Sequence, residues 1–205
     1  MFYDADGYYL VDDFIPKRYQ DDVEEFLLGN QFPYFYNSKS NGEVRNPNTV
    51  LNRNTYDHHQ FVHQLIFNYE VQSTGSDSKK LVDLFKPSFR EFFGDDNYKI
   101  FRAKINLNTH HPKTRKIVMP HTDALQQCWS IVYYVNTVPN SYTLIGKEMY
   151  DKPNPTKFTV KHKVETKKGR AILFDSRRYH SSGKCPIGNT RCVINFMIDE
   201  GQMKQ

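Results

Sequence analysis

The apolar pattern of this chain changes character near Tyr98, and that change limits the folds that the chain can adopt. Before this point, apolar residues recur at helical spacing over residues 17–28, near 60–69 and over 79–93, and these segments are predicted to be helices. Residues 37–54 are rich in Asn, Ser and Gly and are predicted to be an irregular loop. After Tyr98 the chain alternates between apolar segments and turns. Strands are predicted over residues 98–108, 128–136, 141–146, 156–166, 170–175 and 190–199.

Helices first and strands afterwards are typical of an α+β domain. We expect a jelly-roll or cupin-like barrel over residues 98–199, with the helices of residues 1–97 packed against it. A short strand is predicted near residues 7–14, and Pro87 should kink or divide the third helix. A chain of 205 residues is long enough for one domain with a substantial core, so we predict a single domain over residues 1–205.

The composition argues against several classes of protein. Aromatic residues make up 15% of the chain, whereas a disordered chain lacks such groups to bury. The N-terminus has no basic start followed by an apolar run, and no stretch of about 18 apolar residues occurs, so neither a secretory signal nor a membrane span is expected. Cys128, Cys185 and Cys192 form no CxxC pair, which argues against a disulfide framework or a cysteine zinc site. We therefore expect a cytoplasmic protein with reduced thiols.

The charge balance permits an acidic partner without favouring one. The formal net charge is +5, from 28 basic and 23 acidic residues, and solubility alone accounts for a charge of this size. The basic run from Lys161 to Lys168, with Arg170, fits a solvated strand and turn better than a nucleic-acid contact. Arg177 and Arg178 either bind an acidic substrate or pair with surface carboxylates.

Three potential metal ligands follow predicted strands. His121 and Asp123 are two residues apart at a strand end, and side chains alternate along a strand, so both can reach one metal ion. His180 follows the apolar strand Ala171–Phe174 and supplies a third ligand. Two histidines and one carboxylate form a facial triad with open positions, which is the arrangement expected for a non-haem Fe(II) oxygenase. The His-X-Asp motif alone is a weak signal, because it occurs by chance in many proteins.

Arg191 adds a further element to this pattern. It lies eleven residues after His180 and opens the apolar strand 191–198. A guanidinium group binds a carboxylate through two parallel hydrogen bonds. A dicarboxylate co-substrate that chelates iron at one end needs such an anchor at its other end.

The order and spacing of these elements resemble the 2-oxoglutarate/Fe(II)-dependent oxygenase superfamily. The elements are His121-Thr122-Asp123, the strand Trp129–Asn136, the segment Gly169–Phe174, His180 and Arg191. The chain is most similar to the prolyl-4-hydroxylase-like branch and, within it, to small oxygenases of marine bacteriophages. The similarity is strong over residues 98–199 and looser over 1–97. The segment Thr137–Tyr142 departs from the acidic, glycine-rich turn of the phage members, on the side where substrate would enter.

The resemblance implies a double-stranded β-helix in which His121, Asp123 and His180 bind Fe(II) and Arg191 binds the distal carboxylate of 2-oxoglutarate. It implies a dioxygenase that hydroxylates a C–H bond with O2 and couples this to oxidative decarboxylation of 2-oxoglutarate to succinate and CO2, with ascorbate as a candidate reductant. A peptidyl proline or another amino-acid residue is the favoured substrate. A small molecule or a nucleobase is also compatible with the fold. A phage-encoded member would act in the host cytoplasm.

Further residues on the predicted strands are candidates for contact with the co-substrate. Asn195 shares a strand face with Arg191 and either points into the pocket or is a polar residue near a strand end. Tyr133 either donates its hydroxyl to 2-oxoglutarate or belongs to the core. Asn106 and Lys104 share one strand face, and if that face looks into the barrel, Asn106 or Lys104 approaches the co-substrate; if it looks outward, it is solvated.

Two alternatives come from other functional classes. A non-catalytic cupin-like module would bind a metal or ligand without turnover, although the intact set of ligands and Arg191 argues against it. A zinc hydrolase would use the same ligands, but it does not need Arg191 and lacks a Glu beside the ligands as a general base. The pairs His58-His59 and His110-His111 do not suit chelation, because adjacent residues on a strand point to opposite faces.

Overall fold

The structure of the protein is a computed structural model, which describes residues 2–4, 7–39, 55–72, 76–94, 96–112, 117–150 and 157–200. The helices are α1 (Lys17–Leu28), α2 (Ser76–Asp83) and α3 (Lys86–Phe93). The strands are β1 (Phe2–Asp4), β2 (Tyr8–Val11), β3 (Phe35–Asn37), β4 (Thr55–Tyr56), β5 (Gln60–Phe67), β6 (Glu70–Val71), β7 (Tyr98–Thr109), β8 (Ile117–Val118), β9 (Trp129–Tyr134), β10 (Tyr142–Met149), β11 (Val160–Glu165), β12 (Ala171–Asp175), β13 (Arg178–Ser181) and β14 (Thr190–Glu200).

Most of these strands form one antiparallel sheet, the main sheet, in the order β1-β2-β12-β9-β14-β7-β5-β3, with β6 beside β5. A smaller sheet has the order β11-β10-β13, and an antiparallel bridge between His121 and His180 extends it beyond β13. Strands β4 and β8 form a short parallel pair. Phe174 of the main sheet packs in one cluster with Ile145 and Val164 of the smaller sheet. The two sheets therefore face each other as a double-stranded β-helix, the fold that the sequence predicted.

The two faces of the main sheet bury different partners. On the outer face, Ile194 and Phe196 of β14 pack in one core cluster with Leu27 of α1 and Phe89 of α3. On the inner face, Val193 of β14 packs toward the smaller sheet. Because side chains alternate along a strand, residues one step from the outer core positions face the interior of the barrel. The helices therefore support the main sheet from outside, as predicted.

The predicted helix boundaries agree with the structure at α1 and at the end of α3. Helix α1 covers residues 17–28 as predicted, and the stretch 79–93 is divided into α2 and α3. Pro87 lies in the first turn of α3, where the missing N–H group has no intrahelical partner to lose. Gly94 ends α3 with a φ of 82°, and its N–H group donates to the carbonyl oxygen of Arg90 at 2.8 Å.

The helix predicted near residues 60–69 is wrong, because β5 occupies this segment. A β-bulge between Gln64 and Ile66, in the pairing with β7, shifts the alternation so that Leu65 and Ile66 are both buried. Two adjacent buried apolar residues interrupt the period of two and imitate helical spacing. Strand β13 (Arg178–Ser181), which is short and mostly polar, was not predicted.

The other predicted strands are present, with shifted end points. The strand predicted over 156–166 is confined to β11, and the one predicted near 7–14 is confined to β2. The loop predicted over 37–54 lies outside the described residues from residue 40 onward. No helix in the described part of the chain combines the length and the apolar character needed to cross a bilayer.

The basic turn after β11 is paired with acidic side chains. The Arg170 Nε–H group donates to Asp12 at 2.6 Å, and Lys167 Nζ donates to Asp12 at 2.9 Å. Lys168 Nζ lies 2.5 Å from a carboxylate oxygen of Glu24. These contacts agree with the interpretation of this run as a solvated surface.

Candidate metal centre

The three predicted metal ligands lie together between the two sheets. The backbone N–H group of each histidine, His121 and His180, donates to the carbonyl oxygen of the other at 2.9 Å, and the N–H group of Asp123 donates to Ser176 O at 3.0 Å. One ligand atom from each of the three side chains lies within 4.8 Å of the others. The backbone pairing of β13 therefore brings together two segments that are far apart in the sequence.

Both histidines present the same ring nitrogen to the centre of this cluster. The Nδ1 atom of His121 lies 3.3 Å from Met119 O, and the Nδ1 atom of His180 lies 3.1 Å from Arg178 O. A carbonyl oxygen only accepts, so each Nδ1 carries the proton and each Nε2 keeps a free lone pair. Burial and the neighbouring His180 lower the pKa of His121 to about 3, which keeps its imidazole neutral at physiological pH.

The carboxylate of Asp123 is oriented by three donors. The Ser130 hydroxyl donates to Oδ2 at 2.7 Å, an Arg102 N–H group donates to Oδ1 at 3.1 Å, and the Asn195 amide lies 3.3 Å from both oxygens. Burial alone would raise the pKa of Asp123, but the charge of Arg102 and the hydrogen bond from Ser130 act against burial, and the pKa is lowered. Two imidazoles that present Nε2 to the cluster and one ionised carboxylate are a donor set that suits Fe(II), so the residues fit the predicted metal.

Arg191 is a buried cation at the other end of the same pocket. Arg191 is the second residue of β14, and only 1% of its surface is exposed. Its guanidinium group donates to the hydroxyls of Thr143 at 2.8 Å and Thr166 at 3.2 Å, and it lies 5.4 Å from the ring centroid of Tyr134. Among the described residues no carboxylate pairs with it. A buried charge without a counter-ion is unfavourable, so this position is suited to an anionic ligand.

One pocket contains the triad and Arg191. It is lined by His58, Gln60, Lys104, Asn106, Asn108, His121, Asp123, Val132, Thr143, His180, Ser182, Arg191, Val193 and Asn195. The polar face of β7 therefore looks into the barrel, and both Asn106 and Asn195 lie on the pocket wall. Their contact with a co-substrate stays a prediction.

Tyr133 does not lie where a contact with the co-substrate would require it. Its ring is fully buried on the outer face of the main sheet, 4.9 Å from the ring of Phe85, within the helix-covered core. The residue on the inner face is Tyr134, whose hydroxyl donates to Thr143 at 2.7 Å. Strand β9 is buried on both faces, so its sequence shows no alternation from which the inward tyrosine could be chosen.

Several residues of the site were missed at the level of sequence. Thr143 links Arg191 to Tyr134, and Ser130 and Arg102 hold Asp123, as described above. Neither Thr143 nor Ser130 belongs to a motif, and their place in the site follows only from how the two sheets face each other. By contrast, Arg177 forms an ion pair with Asp175 at 2.6 Å, so the carboxylate-pairing interpretation of this arginine agrees with the structure.

The remaining histidines serve other contacts. The His58 ring lies 3.1 Å from the Asn108 amide oxygen, the His59 ring lies 3.2 Å from the Thr109 hydroxyl, and the His110 ring contacts a backbone carbonyl. Within the described residues, only the triad brings three potential ligand atoms together.

No protein-family model matches the sequence, and no curated protein matches it. Solved structures do share its fold. A 2OG-Fe(II) oxygenase family oxidoreductase from Burkholderia pseudomallei is 13% identical with a TM-score of 0.66, and the match covers 96% of this chain and 86% of that one. The alpha ketoglutarate dependent epimerase SnoN from nogalamycin biosynthesis is 14% identical with a TM-score of 0.62, over 95% and 78% of the two chains. A prolyl hydroxylase from Trichoplax adhaerens, in complex with a hypoxia inducible factor peptide, is 17% identical with a TM-score of 0.56, over 96% and 84%.

Proposed function

We propose that this protein is an Fe(II)- and 2-oxoglutarate-dependent dioxygenase that hydroxylates a C–H bond of its substrate. The reaction would be coupled to oxidative decarboxylation of 2-oxoglutarate to succinate and CO2. One observation carries the proposal: a facial triad and a buried arginine, which pairs with no carboxylate of the described residues, occupy the two ends of one pocket. A simple metal site or a zinc hydrolase would leave this buried arginine without a role.

In this proposal the triad holds Fe(II) through His121 Nε2, His180 Nε2 and an Asp123 oxygen. The bound iron supplies the redox chemistry with O2 that protein side chains lack. The contacts of Met119 and Arg178 carbonyls with the two Nδ1–H groups fix the ring orientations, and such outer contacts tune a metal centre strongly.

Arg191 would bind the distal carboxylate of 2-oxoglutarate. Its Nη2–H group donates to the Thr143 hydroxyl, and both groups line the pocket, so the hydroxyl can turn to donate to the same carboxylate. The Tyr134 hydroxyl donates to the Thr143 hydroxyl and so fixes its position. Val132 and Val193 line the wall between the two ends of the pocket and limit the access of water to the co-substrate.

For the substrate we favour a peptidyl proline or another amino-acid residue. The likeness to a prolyl hydroxylase in complex with a peptide supports this choice, whereas the likeness to SnoN keeps small molecules as alternatives. Three free, buried cysteines agree with action in the cytoplasm. The similarity to phage oxygenases stays a prediction.

Succinate formation tests the reaction class without knowledge of the substrate. The protein is incubated under air with Fe(II), 2-oxoglutarate and ascorbate, and wild type is compared with His180→Ala, Arg191→Ala and the surface control Lys99→Ala. We expect slow, iron-dependent succinate formation in wild type and in the control, and its loss in the other two variants. Equal succinate formation in all four proteins would contradict the assignment. Absence of both turnover and 2-oxoglutarate binding would favour a non-catalytic module.

A further inference from the structure

The pocket wall formed by β5 and β7 is polar, and its side chains have no part in the proposed binding of Fe(II) or of 2-oxoglutarate. Its side chains come from the inward face of β7 and from the start of β5. They are His58, Gln60, Lys104, Asn106 and Asn108. Val132 of β9 and Val193 of β14 line the pocket on the same sheet, next to this polar wall. A substrate that enters beside the co-substrate can therefore form hydrogen bonds with the side chains of β5 and β7.

Lys104 is the cation on this wall, and its neighbours give its ammonium group no partner. Arg102 and Asn195, which flank it on β7 and β14, both donate to Asp123. Gln64, opposite Lys104 on β5, donates to the backbone oxygens of Ile66 and Ala103. Among the described residues no hydrogen bond or ion pair reaches the Lys104 ammonium. Lys104 is therefore available to pair with an anionic ligand in the pocket.

The net charge of the side chains around the pocket is positive, which favours the binding of an anion. Lys104, Arg191 and Arg102 contribute three positive charges, and Asp123 contributes one negative charge. A bound Fe(II) ion and a bound 2-oxoglutarate dianion cancel each other, so an excess of positive charge would persist in the loaded site. Burial and the neighbouring Arg102 lower the pKa of Lys104 to about 8, which leaves the side chain mainly protonated at neutral pH.

The strand register places Lys104 at the metal end of the pocket. Arg191 lies opposite Asn108, whereas Lys104 lies opposite Asn195, whose amide contacts Asp123. Asn108 and Lys104 are four residues apart on β7, which corresponds to about 14 Å of strand. Lys104 and Arg191 are therefore attached to the sheet at different depths of the pocket. Between the two ends, Asn106 Oδ1 is buried and has no hydrogen-bond partner among the described residues.

We propose that Lys104 is a specificity-determining residue that binds a carboxylate group of the substrate beside the metal centre, with Asn106 Oδ1 accepting an N–H group of the same molecule. This inference rests on the proposed function and names its substrate class, an acidic amino-acid-like compound. The carboxylate belongs either to a free acid or to an acidic residue of a peptide. A carboxylate of 2-oxoglutarate is the competing ligand for Lys104, and the experiment below separates the two.

The first measurement uses acetate as the probe and Mn(II) as an oxygen-inert metal. The Mn(II)·2-oxoglutarate protein is titrated with acetate, and the paramagnetic relaxation of the acetate methyl protons is followed by NMR. Acetamide is the neutral control. Wild type is compared with Lys104→Met, with the charge-retaining Lys104→Arg, and with Lys99→Met, a matched change at an exposed residue of the same strand. The affinity of each variant for 2-oxoglutarate is measured separately from the absorption band of the Fe(II) complex.

We expect acetate, and not acetamide, to bind near the metal in wild type, Lys104→Arg and Lys99→Met. In Lys104→Met, half-saturation should need at least about tenfold more acetate, because a charge-assisted hydrogen bond is lost. Equal acetate relaxation in wild type and Lys104→Met would overturn the inference. A large loss of 2-oxoglutarate affinity in Lys104→Met would also overturn it, since Lys104 would then bind the co-substrate. Absence of 2-oxoglutarate binding in wild type would instead refute the proposed function.

The source of the carboxylate is assigned in a second step. Succinate formation is measured with pooled free amino acids and with pooled peptides that have blocked termini and one Asp or Glu. The pool that stimulates wild type and Lys104→Arg, but not Lys104→Met, identifies the source. Stimulation that is equal in Lys104→Met would contradict the role of Lys104.

Discussion

Replacing Arg191 with Met should separate stability from ligand binding. The substitution removes hydrogen bonds to two neutral hydroxyls, at 2.8 and 3.2 Å, which together contribute about 3 kcal/mol. It also removes a buried charge that pairs with no carboxylate of the described residues, and the desolvation of such a charge costs several kcal/mol. These terms oppose each other, so the free energy of unfolding of the metal-free protein should change by less than about 2 kcal/mol.

The affinity for 2-oxoglutarate should respond very differently. Loss of a buried, charge-assisted contact of this kind costs about 3 kcal/mol or more, which corresponds to at least about a hundredfold weaker binding. Thermal unfolding measures the change in stability, since about 1 kcal/mol shifts the unfolding midpoint by about 2–4 °C in a chain of this size. The absorption band of the Fe(II) complex with 2-oxoglutarate measures the affinity for 2-oxoglutarate.

Arg170→Met is the matched control for this experiment. Arg170 is an arginine with a carboxylate partner, Asp12, on the surface of the protein. Its replacement should leave 2-oxoglutarate affinity unchanged and lower stability only slightly. The reasoning fails if Arg191→Met unfolds more than about 8 °C below wild type while 2-oxoglutarate still binds normally, because Arg191 would then be a structural residue.

Three further predictions concern individual contacts. Ser130→Ala removes the 2.7 Å bond to Asp123 and should weaken Mn(II) or Fe(II) affinity about 10- to 100-fold in a metal titration, with no change in thermal unfolding large enough to explain the loss. Tyr134→Phe should weaken 2-oxoglutarate binding, because the Tyr134 hydroxyl donates to Thr143. Tyr133→Phe should leave this binding unchanged, because the Tyr133 hydroxyl is buried without a partner among the described residues. The reverse result would contradict the orientation of β9. The hydrogen bond from Arg170, opposed by partial burial, lowers the pKa of Asp12 from 3.8 to about 2. The ionised Asp12 therefore stabilises the fold fully above pH about 4, and this stabilisation disappears as the pH falls toward 2. Asp12→Asn should therefore show a smaller fall in unfolding temperature between pH 5 and 2 than wild type, and identical pH profiles would exclude this linkage.

The sequence predicted those parts of the fold whose periodicity is uninterrupted. Helix α1 has one apolar face, with Val23 and Leu27 buried, between Pro16 and Gly29, and its predicted bounds were confirmed. Strand β5 was mistaken for a helix because the bulge at Leu65 places two neighbouring side chains in the core. Strand β13 was missed because four residues, three of them polar, carry no periodic signal.

The site was predictable only where a motif marks it. The spacing of His121 and Asp123 pointed to a shared ion, and the structure places His180 and Arg191 in the same pocket. Thr143 and Ser130 carry no signal in sequence, because their role arises from the packing of one sheet on the other. The choice between Tyr133 and Tyr134 depended on strand orientation, which a strand buried on both faces does not reveal.

The central claim is that one pocket binds Fe(II) through the triad and 2-oxoglutarate through Arg191. The most direct test is an anaerobic titration of the Fe(II)-loaded protein with 2-oxoglutarate, monitored by the metal-to-ligand charge-transfer absorption band. We expect a saturable band in wild type, no band in His180→Ala, and a band in Arg191→Met that needs at least about a hundredfold more 2-oxoglutarate. A wild-type protein that binds Fe(II) but develops no band at saturating 2-oxoglutarate would contradict the account.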